Sequence, residues 1–314
     1  MSVDILQEKI RKTKNPSVLE LILPVSDLPS RFARNAEGYA ACCGELMEHL
    51  KGIVPAVRVS FNAFVLLGHD GLYHLSETLK KAAELGFYVL LDAPEILSPA
   101  SAKMTAESLL GEGSIYPCDG LVISGYLGSD VIKPFLPYCK KAKKDIFVVA
   151  RTANKSAPEL QDLLAGTRLV HAAAADHVNR YGADTAGKSG YTNVGILTAA
   201  SSAESLRNLR AKYPKLFLLV DGYDYPNANA KNCANAFDKF GHGAVVCGGM
   251  GITCAWKEAE SGEEAYLDHA KAAADRMKKN LTRYVTESIF SIFQEKYGFR
   301  GCETQCRPFC IGFS

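Results

Sequence analysis

Arg58, Asp92, Tyr126, Arg151 with Thr152, and the run Asp221-Gly222-Tyr223-Asp224 each stand at or just past the end of an apolar, β-prone run. Carboxylates beside arginines form a set that can hold an anionic or hydroxyl-bearing ligand through charge-assisted, bidentate hydrogen bonds. The same types also serve an internal purpose, with Arg58 or Arg151 pairing with Asp92 or Asp221 to fill a polar surface. Residue type alone weighs the two evenly. Gly248-Gly249-Met250-Gly251 adds a weak anion signal. Backbone amides at a helix start hold phosphate well, although glycine there also suits a tight turn.

Other chemistries lack their signatures. No serine or histidine sits in a nucleophile-elbow context. His171 and His177 are six positions apart and fall on different helix faces. His69 and His74 flank a turn and helix start, so the histidines read as surface or core groups. Cys302, Cys306 and Cys310 repeat every four residues and would share a helix face. Gly301 and Pro308 oppose a regular helix, and three thiolates with no nearby histidine do not complete a zinc site. They are weak metal candidates at most, and no cofactor is expected.

The polar positions need a frame to bring them together, and the apolar runs supply it. Phe87–Leu91 is β-prone throughout, as expected for a strand covered on both faces. Asp92 follows, and Pro94 forces the chain out of the sheet. The same beat recurs. Strands are expected at 18–23, 56–61, 87–91, 120–124, 145–150, 194–198, 216–220 and 244–247. Helices are expected at 4–13, 35–50, 71–85, 100–110, 129–141, 169–181, 202–213, 229–240 and 263–279. Strands alternating with helices predict an α/β fold, a (β/α)8 TIM barrel, which keeps its chemistry at the C-terminal strand ends. A doubly wound sheet would carry a Gly-rich dinucleotide turn after an early strand, and none is present. Residues 1–282 read as one barrel domain. Residues 283–314 read as an extension, an apolar-faced helix with Ile289, Phe290, Ile292 and Phe293 followed by the cysteine-containing tail.

The 314 residues carry 36 Lys plus Arg against 34 Asp plus Glu, a formal charge of +2, which gives no reason to expect nucleic acid or an acidic membrane surface. The polar N-terminus lacks a signal-peptide core, and no apolar run is long enough to span a bilayer, so a cytoplasmic location is expected. Most of the ten cysteines are scattered, several within apolar runs, where free thiols act as small hydrophobes.

Several phrases, in this order, resemble a known family: Asn15-Pro16-Ser17-Val18, Val54-Pro55-Ala56-Val57, Tyr126-Leu127-Gly128-Ser129-Asp130, Arg151-Thr152-Ala153-Asn154-Lys155-Ser156, Gln161-Asp162-Leu163, Ser189-Gly190-Tyr191 and Gly251-Ile252-Thr253-Cys254-Ala255-Trp256-Lys257. From about Ile5 to Lys257 the chain is similar to the orotidine 5′-monophosphate decarboxylases, specifically their longer bacterial subfamily. The resemblance implies the barrel and a homodimer with active sites near the interface. It also adds Asn154 to the ligand-binding candidates Arg58, Tyr126, Arg151, Thr152, Asp221, Gly222, Tyr223, Asp224, Gly249 and Gly251.

The family's reactive array does not carry over. Its core reads Asp-Ala-Lys-Arg-Gly-Asp after the third strand, where this chain has Asp92-Ala93-Pro94-Glu95-Ile96-Leu97. Asp92 alone is kept; Pro94 replaces the proton-donating lysine and Leu97 the second aspartate. Arg58 replaces the lysine ending the second strand, Glu20-Leu21-Ile22 the Gly-Leu-Asp of the first, Met250 the phosphate-gripping arginine, Pro226 a glutamine and Ala153 a pyrimidine-reading serine. A carbanion-like intermediate needs stabilising and protonating; proline has no proton, and arginine holds its proton too tightly. The expectation is a barrel that has lost decarboxylation and acts as a ligand-binding or regulatory partner. Its ligand would be small and anionic or nucleotide-like, and its partner a second copy or an active paralogue. The alternatives are a working lyase of pyrimidine biosynthesis, for which Lys103 is the nearest replacement lysine, or an enzyme of different chemistry at the same mouth.

Overall fold

Five-residue apolar runs cannot stand alone in water, and here they close on one another. The computed structural model describes residues 2–297, with side chains through Ile289. Eight parallel strands form a closed barrel: β1 (Ser17–Leu21), β2 (Ala56–Ser60), β3 (Tyr88–Asp92), β4 (Gly120–Ser124), β5 (Asp145–Val149), β6 (Val194–Ala199), β7 (Leu218–Asp221) and β8 (Ala244–Gly248). Each strand pairs with its neighbours in sequence order, and Val18 of β1 closes the ring by pairing with both Ala56 and Cys247. The predicted (β/α)8 architecture is observed.

Helices cover the outside, and local chemistry fixes where several begin. Asn35 caps α2 (Ala36–Leu50) by accepting from Gly38 N–H. Helix α3 (His69–Glu84) turns Leu75, Leu79 and Ala82 toward the barrel. Ser98 and Ser101 form a reciprocal capping box at α4 (Pro99–Leu110). The helix expected over 129–141 is broken into two 3-10 turns and a short α5 (Leu136–Lys141). Pro134 and Pro137 each lack an amide and restrict the residue before them. Helices α6 (Val170–Gly182) and α7 (Ala203–Lys212) follow the expected positions. The helix expected over 229–240 stops early as α8 (Ala230–Ala234). The Asp238 carboxylate accepts from the amides of Phe240 and His242 at 2.8 and 2.9 Å, a local alternative to helix.

Two helices do more than cover. Helix α1 (Ser2–Thr13) closes the N-terminal end of the barrel, packing Val3, Leu6 and Ile10 against the inward residues Val18, Tyr88, Phe147 and Phe217. Helix α9 (Tyr266–Tyr297) runs unbroken through residues 282 and 283 and buries Ala270, Ala274, Met277 and Leu281 at helical spacing. No helix among the described residues is long and apolar enough to cross a membrane. Cys42, Cys43, Cys118, Cys139, Cys233, Cys247 and Cys254 are free and buried. Cys302, Cys306 and Cys310 lie outside the described residues.

Candidate active site at the barrel mouth

Alternation along each strand decides what faces the barrel axis. Val18, Ala56, Leu90, Leu219 and Val245 belong to the inner cluster, whereas Leu19, Val57, Leu91, Val220 and Val246 belong to the outer one. A period of two therefore turns Glu20, Arg58, Asp92 and Asp221 inward at the C-terminal rim. Register sets Glu20 beside Arg58, and Asp92 beside Ser60.

Arg58 is the hub. Its Nε donates to Asp92 Oδ1 at 2.7 Å, and its Nη1 donates to Glu20 Oε1 at 2.6 Å and Asp221 Oδ1 at 3.0 Å. It is only 7% exposed, so water cannot replace these partners. Three carboxylates thus surround one guanidinium. Burial alone would make Arg58 easier to deprotonate, but Asp92, Glu20 and Asp221 overcome it and hold the guanidinium well above its usual range. Burial raises Asp92, with Arg58 opposing. Glu20 is pushed up to about 7, by burial first; Arg58 opposes the rise, and Asp221, Asp92 and Asp224 add to it. One acid of the ring is therefore poised to hold a proton near neutrality. Sequence reading did not select Glu20. Its signal was a single charge at an inward position of an otherwise apolar strand.

The second arginine is also committed. Arg151 forks onto Asp162, Nε to Oδ1 and Nη2 to Oδ2, both at 2.9 Å, and its Nη1 reaches Ser201 Oγ at 3.2 Å. The hydrogen bonds it donates to Asp162 raise the Arg151 pKa further. Buried His171 lies 3.1 Å from the same carboxylate. Thr152 N–H donates to Gln161 Oε1 at 2.8 Å, Thr152 Oγ1 lies 2.5 Å from Asn154 Oδ1, and Tyr126 donates to the Ala150 carbonyl at 2.6 Å. Arg151, Thr152, Asn154 and Tyr126 thus brace the loop after β5 rather than converge on Arg58. Asp162 and Gln161, the partners that brace it, had not been singled out as site residues.

The remaining candidates lie in the loops after β7 and β8. Gly222 has φ +78°, and a Cβ there would collide with Ala153, so the loops after β5 and β7 meet over the mouth. Tyr223 packs partly buried on the outer core. Asp224 Oδ2 accepts from Gly249 N–H at 2.7 Å. Leu97 is 79% exposed and Met250 42% exposed, and neither offers a charge to the mouth. Lys103 is exposed on α4. Among the described residues, no group of three or more metal-ligating side chains is placed to hold an ion.

Known proteins share the barrel. No protein-family model matches the chain. It is 29% identical over 277 residues to the orotidine 5′-phosphate decarboxylase of Rhodopirellula baltica, covering 85% of this chain and 92% of that one. It is 26% identical over 286 residues to the enzyme of that name from Clostridium novyi, covering 90% and 98%. Among solved structures, the Leishmania donovani OMP decarboxylase superposes with a TM-score of 0.72 at 23% identity, covering 91% of this chain and 99% of that one. The Plasmodium berghei orotidine 5′-monophosphate decarboxylase gives 0.70 at 12% identity, covering 90% and 98%. The structures share the fold, and the named relatives support membership of the orotidine 5′-phosphate decarboxylase family.

Proposed function

From that family background, we propose that this barrel is a member that no longer decarboxylates orotidine 5′-monophosphate and serves as a ligand-binding or regulatory partner in the cytoplasm. The observation that carries the reading is the commitment of Arg58 to three carboxylates of the chain itself. The cation where the family's second-strand lysine stands is already bonded to Glu20, Asp92 and Asp221. A decarboxylating site needs an ammonium that is free to stabilise and then protonate the developing carbanion. Pro94 supplies no proton, Leu97 no carboxylate and Met250 no phosphate contact. Remote phosphate binding helps drive such chemistry, so its loss reaches the rate as well as the affinity.

Assembly follows from the surface. Leu97, Met104, Ile115 and Leu127 are all more than half exposed, on the elements that follow β3 and β4. Apolar groups gathered on one side of a barrel favour a protein partner. A second copy or an active paralogue docks there, as the family resemblance implies.

One observation favours a second reading, a working lyase. Glu20 is inward-facing and holds its proton to about pH 7, so it has the acidity required of a replacement proton donor. The two readings separate in an assay of orotidine 5′-monophosphate loss by absorbance at high enzyme concentration, run beside Asp92→Ala and Glu20→Gln. The proposal expects no turnover above background in any of the three. Turnover that disappears in both variants would replace it with the lyase reading.

A further inference from the structure

The loops after strands seven and eight of a (β/α)8 barrel commonly offer backbone amides to a phosphate. Here the amides of the β8 loop face a side chain of the protein itself. Gly249 N–H donates to Asp224 Oδ2 at 2.7 Å, and Gly251 N–H bonds the same carboxylate. A Cβ at Gly251 would collide with Asp224 Oδ1, and one at Gly249 would lie 3.4 Å from Asp224 Oδ2. Two glycines thus allow a close approach by an anion, and the anion is tethered to the β7 loop. The neighbourhood repels another. Glu20 Oε2 lies 2.9 Å from a Cβ built on Gly249, and Asp92 and Asp221 stand beyond it on Arg58.

We propose that Asp224 is a built-in occupant of the β8-loop amides, an autoinhibitory latch that joins the β7 loop to the β8 loop and shuts phosphate-bearing ligands out of the mouth. The inference rests on the proposed function in that it explains how the same mouth is kept from a nucleotide. A tethered carboxylate competes at an effective concentration that a free ligand must exceed. An incoming phosphate must displace it and then sit beside three carboxylates that share one guanidinium. The Asp224 residue is exposed, so the latch lies at the surface and can open without repacking the core.

The test is a titration of full-length protein with inorganic phosphate at pH 8, followed through the amide resonances of Gly249 and Gly251. Wild type is expected to show no saturable shift. Asp224→Ala is expected to bind about tenfold or more tightly, with the shifts centred on those two amides. Glu20→Gln removes a neighbouring carboxylate without emptying the amides and is expected to change affinity by less than about threefold. Equal binding by Asp224→Ala and wild type overturns the latch, as does a Glu20→Gln gain that matches that of Asp224→Ala. Should Asp224→Ala fail to fold, Asp224→Asn keeps the shape without the charge, and absence of a gain there overturns the proposal equally. Orotidine 5′-monophosphate turnover by wild type would defeat the functional reading and leave this test standing.

Discussion

The two ends of the barrel treat buried charge in opposite ways. At the N-terminal floor one carboxyl group, Asp145, lies 1% exposed beneath the first turn of α1 and accepts from the Tyr88 hydroxyl, with Asp119 nearby. Burial pushes it up to about 8, against hydrogen bonds from Tyr88, Ser2 and Val3, so the floor favours its protonated form. At the mouth, three carboxylates share Arg58 and a fourth sits on the Gly249 amide. The floor hides one proton inside an apolar plug, whereas the mouth sets charge against charge with a surplus of acid. The apolar plug contributes stability, and the acid buried in it costs part of that as pH rises. A mouth whose cations and amides are already bonded to its own acids leaves little for an anionic ligand.

Removing Arg58 should break the contrast most severely. Arg58→Met leaves Glu20, Asp92 and Asp221 partly buried without a cation and is expected to cost about 3 kcal/mol at pH 8. The loss should shrink at pH 5, where Glu20 takes up a proton, and urea midpoints at both pH values measure it. Leu6→Ala opens the floor plug at a fully buried position. It should cost about 2–5 kcal/mol by the same measurement, with no dependence on pH.

The Asp145 proton sharpens the comparison. Its folded pKa of about 8 lies above the ordinary 3.8, so the folded chain binds more protons than the unfolded chain between those values. Stability should therefore fall as pH rises through that window, by up to about 1.4 kcal/mol per unit. Asp145→Asn should remove this contribution, leaving the fall over the narrower window between 4.5 and about 7 that Glu20 contributes. A wild-type stability that is flat from pH 5 to 8 would contradict the neutral floor. Arg151→Lys breaks the fork onto Asp162 and should cost only about 1–2 kcal/mol, with little change at Arg58. Pro94→Lys should leave orotidine 5′-monophosphate turnover at background, because Arg58 remains bonded to three carboxylates and Leu97 and Met250 still supply no charge.

The frame of this contrast was legible in the sequence because buried parallel strands announce themselves as apolar runs. Asp92, Arg58 and Asp221 fall at strand ends, so their shared rim followed from the barrel. The other parts depended on contacts distant in sequence. Arg58 had two open readings, ligand or internal partner, and only strand register brings Glu20 to it. Arg151 looked like a ligand-binding group, but Asp162, eleven residues on, folds back onto it. The α1 helix was visible as amphipathic, yet nothing local says that its apolar face stops the barrel floor. The helices expected over 129–141 and 229–240 failed for local reasons, the prolines at 134 and 137 and the turn built around Asp238.

Binding of the product nucleotide, uridine 5′-monophosphate, to wild-type protein tests the central claim most directly. A mouth whose cations and amides are bonded to its own acids should give no saturable calorimetric signal up to about millimolar nucleotide. Micromolar binding that Arg58→Met abolishes would show that Arg58 is free to hold a ligand, and would contradict the account.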